Sequence, residues 1–440
     1  MQLPSEFLKR MQTQIGGDFA AYLDAMNQPV RRALRVNTLK ISVSDFISLC
    51  DFSLEPTGML PESFFFPDAV AIGRHPLHTT GLCYVQEPSA SLPAALLPII
   101  PGMMVLDLCA APGGKSGQLA AKLGGSGLLI ANEPVPARAN VLQFNLERLG
   151  VTNMVITCCY PEALASALPG FFDAVLVDAP CSGEGMFRRD AAAVAAWSPE
   201  HVHACALRQH GILEQANTLL KSGGHLVYST CTFSPEENDG IIEAFLSAHP
   251  DNALLESRQL YPHTCAGEGQ FAAILFKGES VPPSAKQSMF ARRSEPHVLG
   301  QPLRGPEQSA WLHFLHETCF IPPANPPLLL PDGRIVLPPQ PMPPFPGIRI
   351  LRAGLLAAEL KTGRVEPNHA LFLGLPASHF RNVLELSDSE ISAFLAGETV
   401  PCNANRSGWC AACFHGYPLG FGKAVSGTLK NHLPKGLWLR

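Results

Sequence analysis

The chain has 440 residues, 46% of them hydrophobic and 16% charged, the make-up of a packed globular protein and not of a disordered one. That length leaves room for roughly two to four domains, each with its own core. A formal net charge of −5 argues against non-specific coating of nucleic acid, but it leaves room for a local basic groove, because the field at a site depends on where charge sits.

Thirteen cysteines occur, and the start, Met1-Gln2-Leu3-Pro4-Ser5-Glu6, carries charge early with no apolar leader. Free thiols in a reducing cytoplasm are the expectation. The most apolar stretch, Leu92 to Leu106, is cut by Pro93, Pro98, Pro101 and Gly102. It is too short and too broken to span a membrane, so no membrane partner is expected.

Along the chain, Phe7, Leu8 and Met11, then Phe19, Tyr22, Leu23 and Met26, recur at helical spacing. Leu34 to Leu39 alternates like a strand and is flanked by Arg31, Arg32, Arg35 and Lys40. That basic stretch reads either as a solvated edge or as a surface that holds phosphates. From about residue 100 to 280, strand and helix alternate. The strand candidates are 103–109, 128–131, 154–157, 174–177 and 225–229, and the helices between them include 115–122, 137–149 and 201–220. This alternation predicts an α/β fold with a doubly wound, mostly parallel sheet. A last candidate, 269–277, follows a turn-rich stretch and reads as an added antiparallel strand. Residues 321–346 hold 11 prolines, which predicts a loop or linker. Beyond it, 348–360 and 370–375 read as strands or short helices, and 410–419 reads as one strand. A basic tail carrying Lys423, Lys430, Lys435 and Arg440 closes the chain.

The run Asp107-Leu108-Cys109-Ala110-Ala111-Pro112-Gly113-Gly114-Lys115 sits at the carboxyl end of the first sheet strand, the edge where open parallel sheets bind ligands. Its small residues allow close backbone approach, and the helix after it offers free N–H groups. Two nucleotide-binding spellings fail. Gly-x-Gly-x-x-Gly is absent, and a P-loop would need glycine where Cys109 stands. Glu133, at the end of the second strand, is placed to accept hydrogen bonds from a ribose. Together these features point to an adenosyl cofactor.

The fourth and fifth strands end in Val177-Asp178-Ala179-Pro180-Cys181-Ser182-Gly183-Glu184-Gly185 and Tyr228-Ser229-Thr230-Cys231-Thr232. A lone strand-end cysteine is usually buried and inert; two at neighbouring ligand-binding edges suggest chemistry. Carbon 5 of cytosine is a poor nucleophile, and a thiolate adding to carbon 6 would activate it. Asp178 is then the acid near ring nitrogen 3, and the base must lie outside the helical stack. Chemistry alone leaves open which cysteine attacks.

The runs 107–115, 178–185 and 229–238 resemble the Nop/Sun family of RNA cytosine-5 methyltransferases. Gln86-Glu87-Pro88-Ser89-Ala90, Arg35 to Lys40, and the tail from Gly416-Tyr417-Pro418-Leu419-Gly420 through Leu429-Lys430-Asn431-His432 also fit. The tail is similar to the PUA-like end of the bacterial branch that acts on small-subunit ribosomal RNA. The resemblance implies a Rossmann-like catalytic domain at 91–280 and an N-terminal α+β RNA-binding domain at 1–90. A Pro-rich linker with a small subdomain would follow at 281–370, and a PUA-like RNA-binding domain at 371–440. It implies Cys231 as nucleophile and Cys181 as the group assisting product release. It further implies S-adenosyl-methionine held by Cys109, Ala110, Ala111, Pro112, Gly113, Gly114, Lys115, Glu133 and Asp178, with RNA as the partner of what is expected to be a monomer. One departure stands out: where the family often has an acidic residue holding the adenine, this chain has Tyr160, with Glu162 nearby.

Competing readings are a transfer-RNA methyltransferase of the same family and a catalytically silent RNA-binding or ribosome-assembly factor that keeps the fold. The silent reading has no use for a thiol pair. Cys410 and Cys413, with Cys402 and His415 nearby, have metal-ligand spacing but make a poor tetrahedral set, so no metal is expected. His201, His203 and His210 read as surface or packing residues of one helix.

Overall fold

The computed structural model describes residues 3–278 and 299–439. Two helices, α1 (Ser5–Ile15) and α2 (Phe19–Asn27), open the chain. Their apolar stripes bury Phe7, Met11, Tyr22 and Met26 against Phe187, Trp197, Val202 and Phe233. A four-stranded antiparallel sheet follows, in the order Glu55–Pro56, Ser63–Phe65, Ala33–Val36, Cys83–Val85.

The centre of the molecule is an eight-stranded sheet. Its strands are β1 (Met104–Asp107), β2 (Leu128–Asn132), β3 (Met154–Thr157), β4 (Phe172–Asp178), β5 (Leu220–Thr230), β6 (Asn252–Leu260), β7 (Gln270–Lys277) and β8 (Ile350–Ala353). They run in the order β6-β7-β5-β4-β1-β2-β3-β8. The five strands from β5 to β3 are parallel, and β6, β7 and β8 are antiparallel additions. The parallel strands are apolar almost throughout because helices cover both faces. Among those helices are α3 (Gly114–Leu123), α4 (Pro136–Arg148) and α5 (Pro199–Leu219). This is the Rossmann-like methyltransferase fold expected, with 270–277 antiparallel as predicted. The strand Asn252–Leu260 escaped prediction: six of its nine residues are exposed, so no inward-facing apolar pattern marks it.

Three expectations are corrected. In the basic stretch Arg35 and Lys40 are engaged inside the fold and Arg31, though exposed, is paired with Glu55, so the stretch does not form the phosphate-holding surface. Arg35 is buried, donating to Gln86 Oε1 at 2.8 Å and Gly114 O at 2.8 Å. Lys40 Nζ donates to Thr80 O and Arg148 O; burial, seconded by Arg148, pushes its pKa down to about 7. Arg31 pairs with Glu55 across the Phe65 ring, and Arg32 donates to the carbonyls of Asp68 and Val70. The proline-rich stretch is also more than a linker. Arg334–Leu337, free of proline, is the middle strand of a five-stranded sheet, and Phe345 and Ile348 enter the main core. Finally, 410–419 is not one strand but a hairpin, Gly408–Phe414 and Tyr417–Val425. His415 and Gly416, with φ of 49° and 80°, make the two-residue turn.

That hairpin belongs to a second five-stranded sheet, the PUA-like region, whose core merges with that of the N-terminal sheet. Cys410 packs into this shared core and Cys413 into the one beneath Arg334–Leu337, so the metal-like spacing points the two thiols apart. Lys423 and Lys430 face each other across the strands, Lys423 lying 5.2 Å over the Trp409 ring. Arg440 and residues 281–298 of the expected linker lie outside the described residues.

The N-terminal sheet is fastened to the catalytic region at the end of α4. Asn37 Nδ2 donates to Gly81 O and Leu149 O, and Arg148 Nη1 to His78 O and Cys83 O. Gly81 has a φ of +71°, and a Cβ there would stand 2.0 Å from Arg148 O. Gly81→Ala is therefore expected to cost about 2 kcal/mol or more, from strain and the clash together. A thermal or denaturant midpoint unchanged from the parent would contradict this seam.

Candidate active site

The strand order reverses between β1 and β4, so a crevice opens at their carboxyl ends. Asp107 ends β1 and Asp178 ends β4. Together with 109–112, Gly114 and Lys115 they line a cleft of about 190 Å³, closed on the far side by Tyr84, Val85, Gln86, Glu87 and Ala90. Gly113 caps α3 with φ of +111°, and a Cβ on Gly114 would lie 2.9 Å from the Tyr84 ring. Only glycines let the loop sit this close to its neighbours.

Asp107 is 1% exposed. Its Oδ2 accepts from Ser116 Oγ at 2.6 Å, while Oδ1 is buried without a partner among the described residues. Burial, helped by the nearby Asp178 charge, pushes its pKa up to about 7 despite the Ser116 hydrogen bond. An orphaned acceptor at the wall of a cleft fits a cationic or N–H-bearing ligand group. Burial, followed by the charges of Asp107, Asp178 and Glu133, likewise drives the Cys109 thiol up. This sulfur stays neutral, and Cys109 offers its backbone.

Glu133 is nearly fully buried at the end of β2. Oε1 accepts from Val135 N at 3.0 Å, and Oε2 lies 3.3 Å from Arg138. A carboxylate with these partners keeps acceptor capacity for a diol. Glu133 and Tyr160 do not line the cleft around Asp107. Tyr160 caps the helix Pro161–Ala167 and is 73% exposed.

Asp178 binds donors on every side: Lys115 Nζ at 2.8 Å, Ser229 Oγ at 2.8 Å and Gln270 Nε2 at 3.3 Å. Burial depresses the Lys115 pKa, but the contact with Asp178, with Cys231 and Asp107 behind it, more than offsets this and leaves it raised. Lys115 is thus held as an ammonium against Asp178.

β4 and β5 pair in parallel, Asp178 beside Ser229, which carries both thiols to the same edge. Cys181 Sγ lies 3.4 Å from Cys231 Sγ, and both are free and half-buried. The hydrogen bond with Cys231 raises the Cys181 pKa well above the usual thiol value, and burial adds to this. Cys181 is thus held as a neutral thiol.

The two turns are also tied behind the sulfurs. Ser182 Oγ meets Thr232 Oγ1 at 2.8 Å, and Gly185 N donates to Cys231 O at 2.8 Å. Glu184, buried, accepts from Phe233 N and Trp197 Nε1. Glu237, also buried, accepts from Ser182 N and Gln209 Nε2. Sequence reasoning assigned no role to Tyr84, Gln209, Gln270 or these two glutamates. The glutamates were legible as acidic residues inside the quoted motifs. Nothing local marks Gln209 or Gln270, which reach the site from other elements.

The chain matches four family descriptions in succession. These are the N-terminal domain of 16S rRNA methyltransferase RsmF over residues 3–88, 16S rRNA methyltransferase RsmB/F over 94–277, the RsmF rRNA methyltransferase first C-terminal domain over 313–375, and the methyltransferase RsmF PUA domain over 381–439. It is 34% identical to the ribosomal RNA small subunit methyltransferase F of Klebsiella pneumoniae, covering 99% of this chain and 96% of that one. It is 33% identical to the protein of that name from Serratia proteamaculans, with the same coverage. Among solved structures, a methyltransferase homolog protein from Pyrococcus horikoshii is 30% identical with a TM-score of 0.54, over 62% of this chain and all (100%) of that one. NSun6 from Pyrococcus horikoshii shares the fold, with a TM-score of 0.56 and 21% identity over 63% of this chain and 99% of that one. The chain belongs to the RsmB/F family of 16S ribosomal RNA methyltransferases.

Proposed function

We propose that this enzyme methylates carbon 5 of a cytosine in small-subunit ribosomal RNA, with Cys231 as nucleophile and Cys181 assisting release. The observation that carries the reading is the 3.4 Å approach of two free thiols at adjacent strand ends, beside Asp178. In this reading the Cys231 sulfur adds to ring carbon 6, forming a carbon–sulfur bond and making carbon 5 electron-rich. After methyl transfer, the proton on carbon 5 passes to water, the electrons of that bond re-form the 5,6 double bond, and the carbon–sulfur bond breaks with its electrons returning to Cys231 as thiolate. Cys181, held protonated beside it, stabilises the departing sulfur. Asp178 accepts from all its neighbours, so protonating ring nitrogen 3 requires a proton on it first.

The cleft around Asp107 suits S-adenosyl-methionine, which supplies the methyl group as an electrophile when bound. The 109–115 loop would hold it through backbone groups, Glu133 would accept from its ribose, and Asp107 would face its positive end. Tyr160, exposed where the family often has an acid, offers a ring face to the adenine. RNA is the substrate class, and the PUA-like region extends the surface available to it.

Labelled methyl transfer to total transfer RNA, naked small-subunit ribosomal RNA and isolated small subunits tests the substrate. Label in ribosomal RNA or subunits supports the reading, and label confined to transfer RNA overturns the substrate assignment. Cys231→Ala should abolish transfer while leaving cofactor affinity within about twofold. Cys181→Ala should accumulate a covalent protein–RNA complex. Normal turnover by Cys231→Ala would refute the division of roles.

The Asp107 pKa near 7 gives a second expectation. Below that pH the carboxyl is neutral, and above it the carboxylate attracts a cationic ligand. Cofactor affinity should therefore rise with pH through about 7 and then level off, and Asp107→Asn should flatten the profile. Calorimetric titration from pH 5.5 to 8.5 would read it, and an affinity independent of pH in the parent would count against Asp107 as the cation's partner.

A further inference from the structure

Glu237 is fully buried, and an interior carboxylate is costly unless its hydrogen bonds are made. Only one of its two oxygens is partnered, Oε1 being buried without a partner among the described residues. Oε2 accepts from the backbone N of Ser182, the residue after Cys181, at 3.0 Å, and from Gln209 Nε2 at 2.7 Å. The same Gln209 amide donates to the carbonyl of Pro180, the residue before Cys181, at 3.0 Å. The pair thus brackets Cys181 on both sides through its backbone. Glu237 itself belongs to the turn that begins at Cys231, and its carbonyl accepts from Tyr228 Oη of β5 at 2.7 Å. A chain of hydrogen bonds therefore runs from β5 through Glu237 to the loop that presents Cys181.

We propose that Glu237, acting with Gln209, is a positioning residue for Cys181: it holds the release thiol against the nucleophile's turn, so that its loss stalls the enzyme at the covalent adduct. This rests on the reading that Cys231 attacks and Cys181 assists release. None of the residues lining the cleft around Asp107 is a hydrogen-bond partner of Glu237 or Gln209. An apolar side chain of similar volume keeps the space filled but leaves Ser182 N and Gln209 Nε2 without an acceptor, at a cost of about 1–3 kcal/mol for each donor left unpaired, so stability, cofactor affinity and first-turnover transfer are read beside release. Position and packing can therefore be separated.

The experiment uses the full chain, labelled S-adenosyl-methionine and the ribosomal RNA substrate. First-turnover methyl transfer, the fraction of covalent complex on denaturing gels, and the rate of product release are measured for Glu237→Met, Glu237→Gln, Cys181→Ala and the Glu237→Met/Cys181→Ala double variant. Glu237→Met is expected to keep first-turnover transfer and cofactor affinity within about threefold while release slows about tenfold or more, the scale of one lost hydrogen bond to a charged group. Covalent complex should accumulate as in Cys181→Ala. Glu237→Gln, which keeps an acceptor for Ser182 N, should restore most of the release rate. The double variant should release no more slowly than Cys181→Ala alone.

Release at the parent rate in Glu237→Met would overturn the proposal. So would a loss of cofactor affinity and first-turnover transfer in step with release, which is the signature of general damage. If Cys181→Ala itself forms no covalent complex, the reading of the two thiols fails, and the positioning role falls with it. Should Glu237→Met not fold, Gln209→Leu removes the Pro180 contact from the other side and is read by the same criteria.

Discussion

The parallel pairing of Phe172–Asp178 with Leu220–Thr230 is the constraint on which the site depends. With Asp178 in register beside Ser229, each strand must end at the same sheet edge, and the turn after each begins with a cysteine within three residues. The strands alone would leave two flexible turns. Ser182–Thr232, Gly185–Cys231, Glu184–Phe233 and Glu237–Ser182 convert them into one rigid unit. Catalysis through a covalent adduct needs such rigidity, because the attacking sulfur and the group that aids its departure act on the same atoms in sequence.

The rest of the fold supports that unit from two directions. From behind, α1 and α2 wall it in: Phe7 packs on Phe187 and Tyr22 on Phe233, and Gln14 donates to Phe233 O at 2.7 Å. From the cofactor side, Arg35 spans from the N-terminal sheet to Gly114 O, and Glu87 accepts from Glu268 N at 2.7 Å, binding the 86–90 turn to the loop before β7. The N-terminal region is therefore part of the framework that holds the site. Its buried arginine and lysine are spent on backbone carbonyls that would otherwise be stranded where two regions meet.

Much of this was legible in the sequence because it is local. The β1 loop, the two Cys-bearing strand ends and the strand–helix alternation each lie within a few residues, and their spacing follows from the geometry of a parallel sheet. Strand 154–157 was predicted to the residue because three apolar residues and a threonine stand between a turn and a helix cap. What remained hidden depends on partners far along the chain. Arg35 and Lys40 look like surface cations until Gly114, Thr80 and Arg148 are brought to them. Asn252–Leu260 is an edge strand whose exposed face carries no period, and Arg334–Leu337 was masked by the prolines around it. Gln209 and Gln270 carry no local mark, since only the fold brings them to Cys181 and Asp178. The glutamates at 184 and 237 were visible as letters but not as buried acceptors.

The central claim is that the Cys231 sulfur, and not that of Cys181, bonds to carbon 6 of the target cytosine. The most direct measurement uses substrate RNA carrying 5-fluorocytosine. Fluorine takes the place of the proton whose loss permits release, so the adduct is trapped. Digestion and mass spectrometry of the trapped complex then identify the modified peptide. The account predicts the nucleotide on Cys231, with the Cys181 peptide unmodified. A nucleotide on Cys181, or methylated RNA with no adduct on either cysteine, would contradict it.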